Sequence, residues 1–167
     1  SSQGLKQSIG STGGGIGAAV QRRISRGKDT RFAKYFKQLH YFVQPTTPFM
    51  RRLLQAEKRI IIEGTQGFGL SLLHAKDYPY VTSRDTTASG FVAEAGLSPF
   101  DVDEIVLVIR AFPIRVAGNS GPLSMEIDWE TVSAEGNHSK DVKELTSVTK
   151  HVRRVGRFDP TLVQFAI

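Results

Sequence analysis

The sequence predicts an α/β fold, a mainly parallel sheet with flanking helices. Two apolar runs carry that expectation. Arg59 to Glu63 and Glu104 to Arg110 are nearly continuous in Ile, Val and Leu, the pattern of strands covered on both faces, as parallel strands are. Stretches of helical character alternate with these runs, and strands alternating with helices argue for an α/β architecture. A length of 167 residues suits a single domain able to bury a sizeable core.

Taken in order, the chain first presents a polar, Gly-rich stretch, Gly10-Ser11-Thr12-Gly13-Gly14-Gly15-Ile16-Gly17. A helix is expected over Ala18 to Ile24, closing in a basic run of Arg22, Arg23, Arg26 and Lys28. Phe32 to Val43 interleaves aromatics and Lys at roughly helical spacing, which would turn Phe32, Tyr35, Phe36, Tyr41 and Phe42 toward a core. Pro45 and Pro48 interrupt that segment, and Pro48 can open a further helix through about Lys58, because its fixed φ suits a first turn. The first strand is bounded by Gly64. A long Gly/Thr/Ser/Asp segment, Thr65 to Gly90, leads to a helix near Phe91 to Ala95. After the second strand, Ile114 to Gly121 reads as a loop and Ser124 to Val132 as a more exposed strand. No internal repeat and no low-complexity tail are present.

Composition narrows the function classes. Apolar residues make up 40% and charged residues 23%, a globular balance without the signature of disorder. The apolar runs fall far below the length of a membrane-spanning helix. The first residues lack the charged-then-apolar pattern of a signal peptide, so a cytoplasmic location is expected. There is no cysteine, which excludes disulfides, thiolate metal sites and Cys nucleophiles. Charge is unevenly distributed: +10 over residues 1–60, −6 over 61–140 and +2 over 141–167. Basic ends around an acidic middle suit an anionic ligand, either a nucleotide or a nucleic acid.

Four segments have the residue types for binding chemistry. Gly10–Gly17 resembles a phosphate cradle, with glycines that let backbone N–H groups approach an anion and Thr12 as a hydroxyl donor. It fits neither common nucleotide motif, and a flexible loop is the plainer alternative. Glu63-Gly64-Thr65-Gln66-Gly67 follows a predicted strand, where open α/β sheets hold ligands. Gln66 offers both a donor and an acceptor for a purine edge, unless it simply faces water in a turn. Tyr78 to Ala88 is dense in hydroxyls suited to phosphate or sugar, though Thr87 equally suits a helix N-cap. In Thr146 to Arg154, cations beside Thr donors suit a carboxylate or phosphate; a solvated basic face is the alternative. The four histidines show no metal-ligand spacing, so no metal site is expected in this chain.

Together these segments resemble the adenylosuccinate synthetase family. The likeness rests on GSTGGGIG, EGTQGFGLSLLH, YPYVTSRDTTASG, IRAFPIRVAGNSGP and ELTSVTKHVRRVGRFD standing in that order, and it runs from about Ile9 to Asp159. The wording is closer to the shorter archaeal and phage branch. The resemblance implies a P-loop-related α/β fold, of which 1–167 is one single-domain portion. It implies a ligase that joins IMP to L-aspartate with GTP and Mg²⁺, in purine biosynthesis, working as a homodimer with no membrane or nucleic-acid partner. By the same resemblance, Thr12 holds the nucleotide 5′-phosphate, and Arg26 reaches that phosphate from the partner subunit. Gln66, the catalytic candidate, bonds the purine near its 6-oxygen, and Thr82 gives a second phosphate contact. Arg115 and Val116 border the ribose, while Thr149 and Arg153 take the aspartate carboxylates.

Three departures qualify the implication. A GDEGKGK-like phosphate loop with its catalytic Asp and later His is absent from these residues, and so is a guanine-reading Lys-x-Asp segment. The main ligands for GTP and Mg²⁺ are therefore not here, and this stretch alone is expected to be inactive. His151 stands where the family usually has Arg, and a neutral imidazole cannot replace a bidentate guanidinium. Two alternatives follow: a phage-type synthetase acting on dGMP to give the 2-amino product, and a stand-alone, non-catalytic purine-nucleotide-binding module.

Overall fold

The computed structural model describes all residues except 1, 12, 139–141 and 148–149. In chain order the helices are α1 (Ser2–Ile9), α2 (Ile16–Ser25), α3 (Thr46–Gln55), α4 (Ala88–Ala95), α5 (Trp129–Glu135) and α6 (Pro160–Ala166). The strands are β1 (Ile114–Arg115), β2 (Glu126–Ile127) and β3 (Arg154–Gly156). The chain divides into two compact units, one of residues 1–15, 76–81 and 107–167, the other of residues 16–75 and 82–106.

The first unit is organised by a three-stranded sheet in the order β1-β3-β2. Ile114 pairs with Val155 and Arg115 with Arg154, while Glu126 pairs with Gly156 and Ile127 with Val155. Val155, at the centre, is 1% exposed. Helix α5 starts at Asp128, whose carboxylate accepts from the Thr131 N–H at 2.7 Å. The Trp129 indole N–H then donates to the Arg153 carbonyl at 2.7 Å, tying α5 to the entry of β3.

The second unit holds α2, α3 and α4 with short 3₁₀ turns between them. Thr87 caps α4 by accepting from the Gly90 N–H at 3.1 Å, and Gly96 ends it in the left-handed region (φ +72°). Both features follow the usual chemistry of helix ends. Gly90 also has to be glycine: a Cβ there would lie 2.5 Å from an Asp85 carboxylate oxygen. Arg51 of α3 forms an ion pair at 2.7 Å with Asp101, in a turn capped by Ser98.

The helices expected at Ala18–Ile24 and near Phe91–Ala95 are present as α2 and α4, and the one expected from Pro48 to about Lys58 is present as α3 with earlier bounds, Thr46–Gln55. Among the described residues four features differ from expectation. The strands that pair are antiparallel, not parallel. Arg59–Glu63 and Glu104–Arg110 pair with no strand among the described residues and are not buried: Ile61 is 91% exposed and Val108 87%. An apolar run is covered only where neighbouring strands and helices flank it, and these residues supply neither. The Phe32–Val43 segment forms two 3₁₀ turns, Ala33–Tyr35 and His40–Phe42, with its aromatics exposed rather than core-facing. Cations lie over two of those rings, Arg23 over Phe32 at 5.3 Å and Lys34 over Tyr35 at 5.2 Å. Finally, Ser124–Val132 divides into β2 and α5, because Asp128 caps a helix where a strand was expected.

Buried positions are as much polar as apolar. Val92, Val132 and Val155 are accompanied by Ser71, Thr86, Ser120, Ser133 and Thr146. Side-chain bonds to backbone therefore hold the loops in place as much as apolar packing does.

Candidate functional site

In the second unit, the Gln66 loop is fastened on both sides. A Cβ on Gly64 would lie 2.3 Å from the Phe91 ring, so only glycine lets the backbone pass that close. On the other side, the Thr86 hydroxyl, 5% exposed, donates to the Gly67 carbonyl at 2.8 Å. Between these anchors Gln66 sits at φ +70° with an exposed side chain. A non-glycine residue held in the left-handed region is uncommon, and such residues persist where surrounding structure fixes them.

Thr82 lies on the next loop, half-buried, with its N–H donating to the Leu70 carbonyl at 2.9 Å. Its hydroxyl makes no hydrogen bond among the described residues, unlike those of Thr86 and Thr87. The hydroxyl-rich segment thus separates into structural and available groups. Arg26 is exposed at φ +52° just after α2, with its N–H bonded to the Arg23 carbonyl at 3.3 Å.

In the first unit, Arg115 and Val116 follow from β1. The Arg115 side chain is 11% exposed. It donates to the carbonyls of Ser120 and Tyr80, the latter at 3.2 Å, and lies 3.6 Å from Asp77. Burial pushes its guanidinium below the ordinary arginine value; Asp77 opposes this and Arg154 adds to it. Arg154 grips Glu126 with two hydrogen bonds of 2.7 and 2.6 Å, which raise its own pKa and lower that of the carboxylate. Sequence reasoning missed Ser120, and it gave Arg154 only as the end of a basic cluster for an anion, not as the partner of Glu126. The only signals available were the Asn119-Ser120-Gly121-Pro122 turn composition and a second Arg beside Arg153.

His151 and Arg153 flank Val152. Leu145 bridges Val152, the Arg153 N–H donates to the Glu144 carbonyl at 2.8 Å, and the Thr146 N–H donates to the His151 carbonyl at 2.9 Å. The Thr146 hydroxyl accepts from the His151 N–H at 3.0 Å. This leaves the His151 side chain exposed. Arg153 is paired through Nε with Glu144 at 3.3 Å; the approach is too oblique for a hydrogen bond, so the contact is mainly electrostatic. Glu144 also receives Arg110 at 2.7 Å. Thr12 and Thr149 lie outside the described residues. Among the described residues no group of three or more His, Asp or Glu is placed to hold a metal ion.

The model of the adenylosuccinate synthetase family matches residues 27–167. An adenylosuccinate synthetase of Thermococcus onnurineus is 40% identical over 155 residues, covering 93% of this chain and 43% of that protein. The chain belongs to the adenylosuccinate synthetase family. The family's protein from Methanocaldococcus jannaschii is 39% identical over 162 residues, 97% of this chain and 44% of the relative. The chain thus spans under half the length of the curated relatives it matches. Among solved structures, a succinoaminodeoxyadenylate synthetase of cyanophage S-2L, bound to dGMP and to dATP as an energy donor, superposes with a TM-score of 0.80. It is 32% identical, with 96% of this chain and 48% of that one covered. A fully ligated adenylosuccinate synthetase of Plasmodium falciparum, 23% identical, shares the fold at a TM-score of 0.73 over 95% of this chain and 45% of its own. No helix among the described residues is long and apolar enough to cross a membrane.

Proposed function

We propose that these residues carry the purine-nucleotide and aspartate contacts of an adenylosuccinate synthetase-type ligase, which joins IMP to L-aspartate with GTP hydrolysis. One observation carries the reading. A relative named adenylosuccinate synthetase is matched over 97% of the chain, and the family model matches residues 27–167, the range that holds Gln66, Thr82, Arg115, Val116, Thr149 and Arg153; Thr12 and Arg26 lie before it. In this reading Gln66 holds the purine amide edge near its 6-oxygen, where an amide side chain can both donate and accept. Its fastened loop supports that role, because a pre-positioned contact does not have to be ordered when the ligand binds.

Thr12 and Thr82 contact the 5′-phosphate, and Arg26 reaches it from the partner subunit of a homodimer. Arg115 and Val116 border the ribose. Thr149 and Arg153 take the aspartate carboxylates beside His151. The 167 residues act as one portion of the family's domain, in which Arg59–Glu63 and Glu104–Arg110 serve as strands of a mainly parallel, P-loop-related sheet. A cytoplasmic setting without membrane or nucleic-acid partners belongs to the same proposal. GTP and Mg²⁺ are the family's co-substrate and cofactor. In this reading their main ligands are not among these residues, so no step through them is derived for this chain.

A second reading has its own support. The cyanophage relative was solved with dGMP, and His151 replaces the family's usual Arg. Calorimetric titration of the chain with IMP and with dGMP separates the two. We expect one of them to bind and Gln66→Ala to weaken it about tenfold or more, given ~1–3 kcal/mol for an interaction of this kind. Binding without turnover when L-aspartate and GTP are added is expected of this stretch alone, both as a ligase portion and as a nucleotide-binding module. Failure of both nucleotides to bind, or equal affinity in the Gln66 variant, overturns the assignment.

A further inference from the structure

We propose that Ser120 is a positioning residue for the nucleotide sugar, fixing Arg115 and Val116 from behind; this rests on the nucleotide reading above. Ser120 is 4% exposed and every polar atom it has is engaged. Its hydroxyl donates to the Val116 carbonyl at 2.6 Å and accepts from Arg154 Nη1 at 3.1 Å. Its carbonyl accepts from Arg115 Nη1, and its N–H donates to the Gly118 carbonyl at 2.8 Å. One side chain therefore meets the peptide plane that follows Val116, while its main chain meets the Arg115 guanidinium.

The turn needs such a pin. Gly118 (φ +79°) and Gly121 (φ +92°) flank Ser120 in conformations that glycine adopts without restraint. Arg154 holds the far side, donating to the Gly121 carbonyl at 2.7 Å while Glu126 fixes its other donors. Arg115 is likewise committed to Tyr80 and Ser120 carbonyls. Its guanidinium acts by shaping the turn, and Val116 with the backbone beside it presents the surface to the sugar. Ser120→Ala removes the hydroxyl, leaves the Val116 carbonyl and an Arg154 N–H without that partner, and frees the peptide plane that follows Val116.

The test compares two probes, IMP and inorganic phosphate, titrated into the unsubstituted chain and into Ser120→Ala, with thermal unfolding followed in parallel. A sugar-directed role predicts that Ser120→Ala weakens IMP about tenfold, as for one lost hydrogen bond, and changes phosphate affinity by less than about twofold. If both affinities fall together with the unfolding midpoint, Ser120 is only structural and the proposal is overturned. Unchanged IMP affinity overturns it too. An unsubstituted chain that takes phosphate or nothing, but neither IMP nor dGMP, overturns the nucleotide reading and this role with it.

Discussion

Asp85 is the residue on which the second unit's loops converge. Its carboxylate accepts from the Ser71 hydroxyl at 2.8 Å, from the Thr87 N–H at 3.2 Å and from the Thr87 hydroxyl at 2.6 Å. Ser71, fully buried, in turn accepts from the Leu73 and His74 N–H groups. Burial by itself would raise the Asp85 pKa, but the bonds from Thr87 and Ser71, helped by His74, outweigh it and hold the group below its ordinary value. A carboxylate depressed in the folded state stabilises the protein above its unfolded pKa, and that contribution is lost as pH falls through the folded value. Stability should therefore fall below about pH 4. Asp85→Asn should be less stable at pH 7 and lose stability less steeply on acidification. Asp101, Glu126, Asp128 and Asp159 are depressed in the same direction, so the slope should shrink without vanishing. Urea titrations from pH 7 to 3 that give the same slope for both proteins would refute the assignment.

Helix α4 shows how local sequence and tertiary contact combine in one element. Thr87 caps it and also donates to Asp85, so Thr87→Ala should cost roughly 1 kcal/mol or somewhat more, while Thr87→Ser should retain most of the stability. Because the two side chains share a hydrogen bond, Thr87→Ala and Asp85→Asn should combine to less than the sum of their separate costs. An additive double mutant in equilibrium unfolding would show that the pair is uncoupled. The capping role of α4 was legible in the sequence because a Thr before an apolar segment is a local signal, and α2 was legible from a local pattern too, a short segment closing in a basic run. Ile105 to Ile109 were not, since a buried strand and an exposed one share the same residues and differ only in what packs on them. Ser120 was hidden for a related reason. A serine between glycines has no periodicity, and its contacts with Val116, Arg154 and Arg115 arise only when β1 and β3 pair. The Gln66 loop lies between these cases: the position was readable from its motif, but the Gly64–Phe91 approach and the Thr86 bond needed the fold.

Across the molecule, the large apolar side chains are distributed unlike those of a self-sufficient core. Ile61 is 91% exposed and Val108 87%, with Ile105, Val106 and Ile109 also open to solvent. Both runs are without regular structure and unpaired among the described residues, so each presents unbonded backbone groups beside apolar side chains. That combination is the usual template for strand addition and association, and contiguous apolar surface adds a hydrophobic driving force. Net charge opposes it weakly, because the +10 region lies in residues 1–60 while the second run falls in the acidic stretch. The unsubstituted chain should therefore bind an apolar fluorescent dye and sediment as an associated species at micromolar concentration. Ile61→Lys with Val108→Lys places a charge on each run, the device edge strands use against pairing. The double variant should show lower dye fluorescence and a larger monomer fraction, with the far-ultraviolet dichroism of α2 to α4 retained. A chain that sediments as a monomer, excludes the dye and is unmoved by both lysines would mean that these runs are covered, and that the expected strands are satisfied within the 167 residues.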